Sequence, residues 1–288
     1  MKRLSLISVL LLVVSFYSVQ NYAQCTDGGI CQLGGHMLEG EAGEKFNIST
    51  YFKYGYSGKE DDVQYYSFVL DGYYNVLEKS SIQLMLPYNI QSGPLGDISG
   101  IGDMIISWNQ GLYTDGNSSI NASLGFKLAT GSDIKDSLPQ VYQSGLGTND
   151  LLLGVSYSYK QFLIGAGYQL YGGRNNDTYQ LEKGNDLLLR ALYQFSFGDF
   201  IVIPQLLYIQ PLAESSILDS TSTNGDTYVD VEDSNQPQLN FLASLEYKLN
   251  DNFALMGDFA FPFIERKVNL DGLQRAITAS VGVMFSFD

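Results

Sequence analysis

Seven charged side chains sit in the middle of strand-like segments, where a neutral residue is the ordinary choice: Lys53, Asp71, Lys127, Arg190, Glu246, Lys248 and Asp258. Such a set can form a selectivity ladder for a small solute, or pair internally and stabilise a closed interior. The remaining reactive groups crowd near the start of the chain. Cys25, Cys31, His36 and Met37 supply sulfur and one imidazole, a soft set able to hold Cu(I) or Zn(II). In an oxidising compartment Cys25 and Cys31 instead close a small disulfide loop, which is the favoured reading, so no metal and no cofactor are assigned. His36 is the only histidine. Past it the chain has no imidazole base for a triad and no ordinary zinc set, so no catalytic residue is assigned and the chain is not read as an enzyme.

Composition narrows the class further. The chain has 288 residues, 45% of them hydrophobic, with 21 Tyr and 16 Phe, enough apolar area for a large folded unit. A formal charge of −15 argues against nucleic acid as a partner, because phosphates need a basic surface. Lys2 and Arg3 precede an apolar run from Leu4 to Phe16, broken only by Ser5, Ser8 and Ser15, and Ala23 offers a cleavage site. Residues 1–23 therefore read as a secretory signal peptide, because a membrane-spanning helix needs about 20 apolar residues. Gln24 stands where a lipoprotein signal wants a small residue, so the expected mature start is an unlipidated Gln24. Residues 24–45 form a glycine-containing segment, either a periplasmic tail or a plug.

From Phe46 onward, apolar and polar side chains alternate in segments of about ten residues, the pattern of strands with two different faces. In the last segment Ile277, Ala279, Val281, Val283, Phe285 and Phe287 share one face, and Thr278, Ser280, Gly282, Met284 and Ser286 the other. Strands are predicted near 46–56, 64–76, 81–91, 103–113, 119–130, 149–159, 162–171, 185–197, 200–212, 238–249, 253–264 and 276–287. The mid-strand charges fix which face meets lipid. A Lys or Arg at the bilayer midplane costs roughly 2–4 kcal/mol, and all seven charges lie on the more polar face. Links alternate short and long, as in outer-membrane barrels with short periplasmic turns and long outer loops. The predicted fold is all-β: a transmembrane antiparallel β-barrel of about 12 strands, outer-membrane type, spanning residues 46–288. That size lies between barrels filled by their own side chains and open porins, which makes a narrow or gated pore the expectation.

Aromatic residues gather near strand ends, among them Tyr51, Tyr54, Tyr65, Tyr66, Tyr73, Phe259 and Phe263, as interfacial girdles do. The last strand looks like the signal by which the barrel-assembly machinery recognises its clients, although Asp288 follows the terminal aromatic. The long link Ala213 to Pro237 carries Glu214, Asp219, Asp226, Asp230, Glu232 and Asp233 at spacings that match no EF-hand. It reads as a solvated loop, with divalent ions bridging such surfaces to lipopolysaccharide.

Four motifs carry a family resemblance: Leu86-Pro87-Tyr88; Gly100-Ile101-Gly102-Asp103; Gly125-Phe126-Lys127-Leu128-Ala129-Thr130-Gly131; and Gly145-Leu146-Gly147-Thr148-Asn149-Asp150. This stretch resembles the outer-membrane transporter family named after the meta-pathway of phenol degradation, with Ala129 where that family usually has Pro. The resemblance implies an outer-membrane barrel of a Gram-negative bacterium that passes small hydrophobic or aromatic solutes. The alternatives are a non-transporting structural or surface-binding barrel and, less favoured, an outer-membrane hydrolase. The expected partners are outer-membrane lipid and lipopolysaccharide, the assembly machinery and a small-molecule solute, with no nucleic acid.

Overall fold

The structure is a computed structural model that describes residues 45–58, 61–222 and 227–287. Residues 1–23, read as a signal peptide, and the segment holding Cys25 and Cys31 lie outside the described residues. Twelve strands follow in chain order: β1 (Phe46–Tyr56), β2 (Gln64–Leu77), β3 (Ser80–Gly93), β4 in two segments (Gly96–Ile101 and Met104–Thr114), β5 (Ser118–Leu128), β6 (Asp150–Tyr159), β7 (Phe162–Leu170), β8 (Asp186–Tyr193, continued by Phe195–Phe197), β9 (Phe200–Pro211), β10 (Gln238–Lys248), β11 (Phe253–Ile264) and β12 (Ile277–Phe287). Each pairs antiparallel with its chain neighbour, and β12 returns to β1 from Phe46↔Phe287 to Tyr56↔Ile277. The sheet is therefore a closed barrel, and its spanning strands have no free edge.

Burial along the strands follows the alternation in the sequence. In β12, Thr278, Ser280 and Ser286 are buried, whereas Ile277, Val281 and Val283 are exposed. An inward face of Ser, Thr and Asn with an outward face of Val, Ile and Phe is the inverse of a soluble protein and suits a hydrocarbon surround. At the short-turn end outward rings on neighbouring strands meet in tilted and stacked pairs. Phe46 lies 4.9 Å from Phe287, Phe253 4.7 Å from Phe285, and Phe200 4.4 Å from Tyr247. The Phe285–Phe287 contact (5.1 Å) joins the first two pairs into one run of an aromatic girdle, and Phe200 with Tyr247 forms a separate part.

Two long links hold more order than the sequence pattern suggests. Residues 92–102, read as a loop, instead turn tightly at Gly96 (φ +135°) and run back as the first segment of β4 along β3. The strand then breaks at Gly102 and Asp103, opposite Pro87. Proline has no N–H to give to a ladder, and the one bond made there runs from the Gly102 N–H to the Pro87 carbonyl at 2.9 Å. The link after β9 carries a small hairpin, Ser216–Leu218 against Tyr228–Asp230. The link between β5 and β6 folds inward rather than outward. The Asn89 and Gln91 side-chain amides, both on the inner wall, donate to the carbonyls of Ser144 and Gln143 at 2.8 and 2.9 Å.

Candidate functional site

All seven charges picked out in the sequence have the strand parity of buried residues and so face the lumen. Lys53 shares its side with Asn47 and Gly55, Asp71 with Tyr65 and Val69, Asp258 with Ala254 and Ala260, and Glu246 and Lys248 with Gln238 and Asn240. Lys127 and Arg190 are themselves buried. The structure does not gather the seven into one ladder. Asp71 accepts two hydrogen bonds from Gln83 (3.0 and 2.9 Å), and Asp258 accepts from Ser244 (2.7 Å) and Ser280 (2.6 Å). Lys53 stands 5.8 Å from the Tyr51 ring, and Lys248 is exposed at the short-turn end.

The same inner wall carries an apolar belt, with Met85 opposite Asp71, Ile105 opposite Lys127 and Leu207 opposite Arg190 on neighbouring strands. Ile105, Leu152, Leu188 and Leu207 are buried in one cluster, with Met85, Ile209 and Leu242 packed against it, all on the inward side of their strands. Gly125 is part of the design, because a Cβ there would stand 3.3 Å from both Leu152 and Ser107. Consecutive apolar residues mark the belt in the sequence: Leu151-Leu152-Leu153, Leu187-Leu188-Leu189 and Leu206-Leu207 are apolar on both faces at once. That signal was available, and the alternation rule passed over it.

At the long-loop mouth the four sequence motifs converge. The Lys127 ammonium lies 2.6 Å from Asp150 and 3.8 Å from Asp103, with all three side chains nearly inaccessible. Asp103 also accepts the backbone N–H of Gly131 (3.1 Å) and of Leu146 (2.8 Å), which ties both ends of the inward loop to the wall. Gly131 and Gly145 press together so closely that a Cβ on Gly131 would stand 2.6 Å from the Gly145 Cα. Asp150 accepts the Gln169 amide at 2.8 Å. The sequence reading placed Lys127 in the lumen but missed Asp103, Asp150 and Asp186, because acids beside Gly or Asn at strand ends look like ordinary turn residues.

A second ionic group joins the first through Tyr171, whose hydroxyl donates to Asp186 (2.7 Å) and accepts from Lys183 (2.8 Å). Lys183 also contacts Asp271 at 2.5 Å, and Arg266 holds the same carboxylate with two bonds of 3.1 and 3.0 Å. Burial and the carboxylates of Asp186, Asp271 and Asp150 raise the Tyr171 phenol well above its usual value, which keeps it a donor. Burial alone would push the Asp271 carboxyl up. The charges of Arg266 and Lys183, with their hydrogen bonds, outweigh it and hold Asp271 well below the usual carboxylate range.

The sign of the resulting pH effect follows from linkage. Asp271 is depressed in the folded state, so its stabilising contribution is fully present above the unfolded value near 4 and is lost only as pH falls through the lower, folded one. The segment between β11 and β12 is therefore expected to resist limited proteolysis equally at pH 7 and pH 5. Cleavage that rises between those two values would contradict the assignment. Among the described residues no cluster of His, Cys, Asp and Glu suits a metal ion.

A closed barrel with an apolar outer wall, a partly polar inner wall and a folded mouth defines a transmembrane β-barrel of the outer-membrane type. No protein-family model and no curated sequence matches the chain. Solved structures do. The COG4313 outer membrane channel from Pseudomonas putida F1 is 13% identical, with 85% of this chain and 96% of that one covered at a TM-score of 0.61. The NanC porin is 11% identical, with 83% and 98% covered at a TM-score of 0.50. At these identities the likeness is one of fold.

Proposed function

We propose that the protein is a channel of the Gram-negative outer membrane for small solutes, with a waist suited to hydrophobic or aromatic ones. The observation that carries this reading is the belt of Ile105, Leu152, Leu188 and Leu207 inside the lumen. Embedding in lipid requires leucine on the outer wall only, so apolar side chains on the inner wall serve whatever occupies the interior. Asp71, Lys127 and Arg190 stand opposite members of the belt on neighbouring strands, so charged groups border it within the lumen. The motif resemblance supports membership of the meta-pathway transporter family, and the two fold relatives are a channel and a porin. Outer-membrane lipid, lipopolysaccharide and the assembly machinery are the partners this placement implies, and no catalytic step is assigned to the barrel.

Planar-bilayer recording of the refolded mature protein tests the reading. Stepwise openings are expected, with Arg190→Ala changing the step size on the order of twofold, since Arg190 is a buried cation on the inner wall beside Leu188. A correctly folded barrel with no steps, and no uptake of a small aromatic solute into vesicles, would remove the channel reading.

A further inference from the structure

The group around Asp271 has the makings of a ligand site whose ligand is part of the chain. Asp271 belongs to the long link between β11 and β12, yet its carboxylate is buried against Lys183, which comes from the link between β7 and β8. One carboxylate oxygen meets Arg266 Nη2 (3.0 Å) and the Leu273 N–H (3.1 Å). The other meets Arg266 Nη1 (3.1 Å) and Lys183 Nζ. A planar, two-oxygen anion gripped by a guanidinium fork is carboxylate recognition as binding sites practise it. Arg266 Nε is buried with no acceptor among the described residues, so the guanidinium retains donor capacity that Asp271 does not use. The turn that inserts Asp271 is built for it. Gly272 has φ +62° and lies against the Val141 backbone, where a Cβ would collide.

We infer that Lys183 and Arg266 form a binding site at the long-loop mouth for the carboxylate of a small organic acid, and that Asp271 occupies this site in cis. Two cations face Asp271, with Asp186 the nearest opposing charge at 3.6 Å from Lys183. Removal of Asp271 leaves two cations against the one carboxylate of Asp186, a net charge that one monoanion balances. A tethered side chain has an effective concentration on the order of millimolar or above, so a free acid displaces it only when abundant or when its body adds contacts of its own. Displacement frees the strap between β11 and β12. That last step, opening of an entrance, rests on the channel reading; the binding does not.

The experiment uses benzoate as the probe, with chloride at equal ionic strength as the control. Calorimetry on the full barrel in detergent is expected to show benzoate binding to Asp271→Ala with a Kd on the order of millimolar. Wild type should bind at least tenfold more weakly, and Asp271→Ala/Lys183→Gln not at all. Asp271→Asn, which keeps the shape of the side chain, serves if the alanine variant does not fold, and is expected to bind more weakly than Asp271→Ala but measurably. Folded variants that bind no benzoate, or binding that survives Lys183→Gln, overturn the proposal. Bilayer recordings on the same samples separate the two readings. Binding without any current keeps this site and removes the channel, whereas a conducting barrel blind to benzoate in both assays removes this site alone.

Discussion

Replacing Lys127 with Met is expected to destabilise the barrel by about 3–5 kcal/mol, because it strands the buried Asp150 carboxylate without its cation. Lys127 is 3% exposed, and its partners Asp150 and Asp103 are 0% and 4% exposed at the side chain. Among the described residues Asp150 pairs with no other cation, and Asp103 is the anchor of the inward loop through Gly131 and Leu146. The cell has to protonate an acid, admit water or let the loop go. Denaturant unfolding in detergent measures the loss. Lys127→Met/Asp150→Asn is expected to recover a large part of it, since the double change also removes the carboxylate nearest the lost cation and leaves only the more distant Asp103. A single-variant loss below about 1 kcal/mol would mean that the three groups are solvated in the working protein, contrary to their burial.

The second large effect comes from the outer wall. Val281 is 66% exposed at the middle of β12, where Val281→Arg is expected to cost about 2–4 kcal/mol in vesicles. The control is one face away. Ser244→Lys, on the inner wall beside Asp258, adds the same charge within reach of a carboxylate and should cost under about 1 kcal/mol. In vesicle unfolding measurements a reversed order of the two costs would invert the assignment of lumen and lipid on which the site depends.

How far the sequence was legible differs between wall and mouth. The wall was read to within a residue or two at most strand ends, as with β1, β11 and β12, because opposite faces in lipid and water force a period of two on every strand. The belt was missed for the same reason. At Leu152 and Leu188 the inner face is itself apolar, and a rule that seeks contrast between faces has no contrast to find. The first segment of β4 was missed because Gly96, Gly100 and Gly102 read as loop punctuation, although here they permit a turn and a close approach to Pro87 and Asn89. The ionic cluster is a different case. Asp103, Lys127, Asp150, Asp186 and Asp271 are scattered over 169 positions of numbering, and only barrel closure and loop folding bring them together. No local pattern encodes such a meeting, even though three of the five stand inside the motifs that carried the family resemblance.

The pairing of Phe46 with Phe287 also sets a timetable for manufacture. Every other neighbouring pair in the barrel forms between strands adjacent in the chain, whereas this seam joins the first strand to the last. Eleven paired strands alone are a sheet with two open borders, since β12 supplies the partner for both β1 and β11. Until that final piece pairs, both borders are open to pairing with other chains. The seam is the step at which an aggregation-prone intermediate becomes a finished cylinder, and a chain cut short before Ile277 cannot take it.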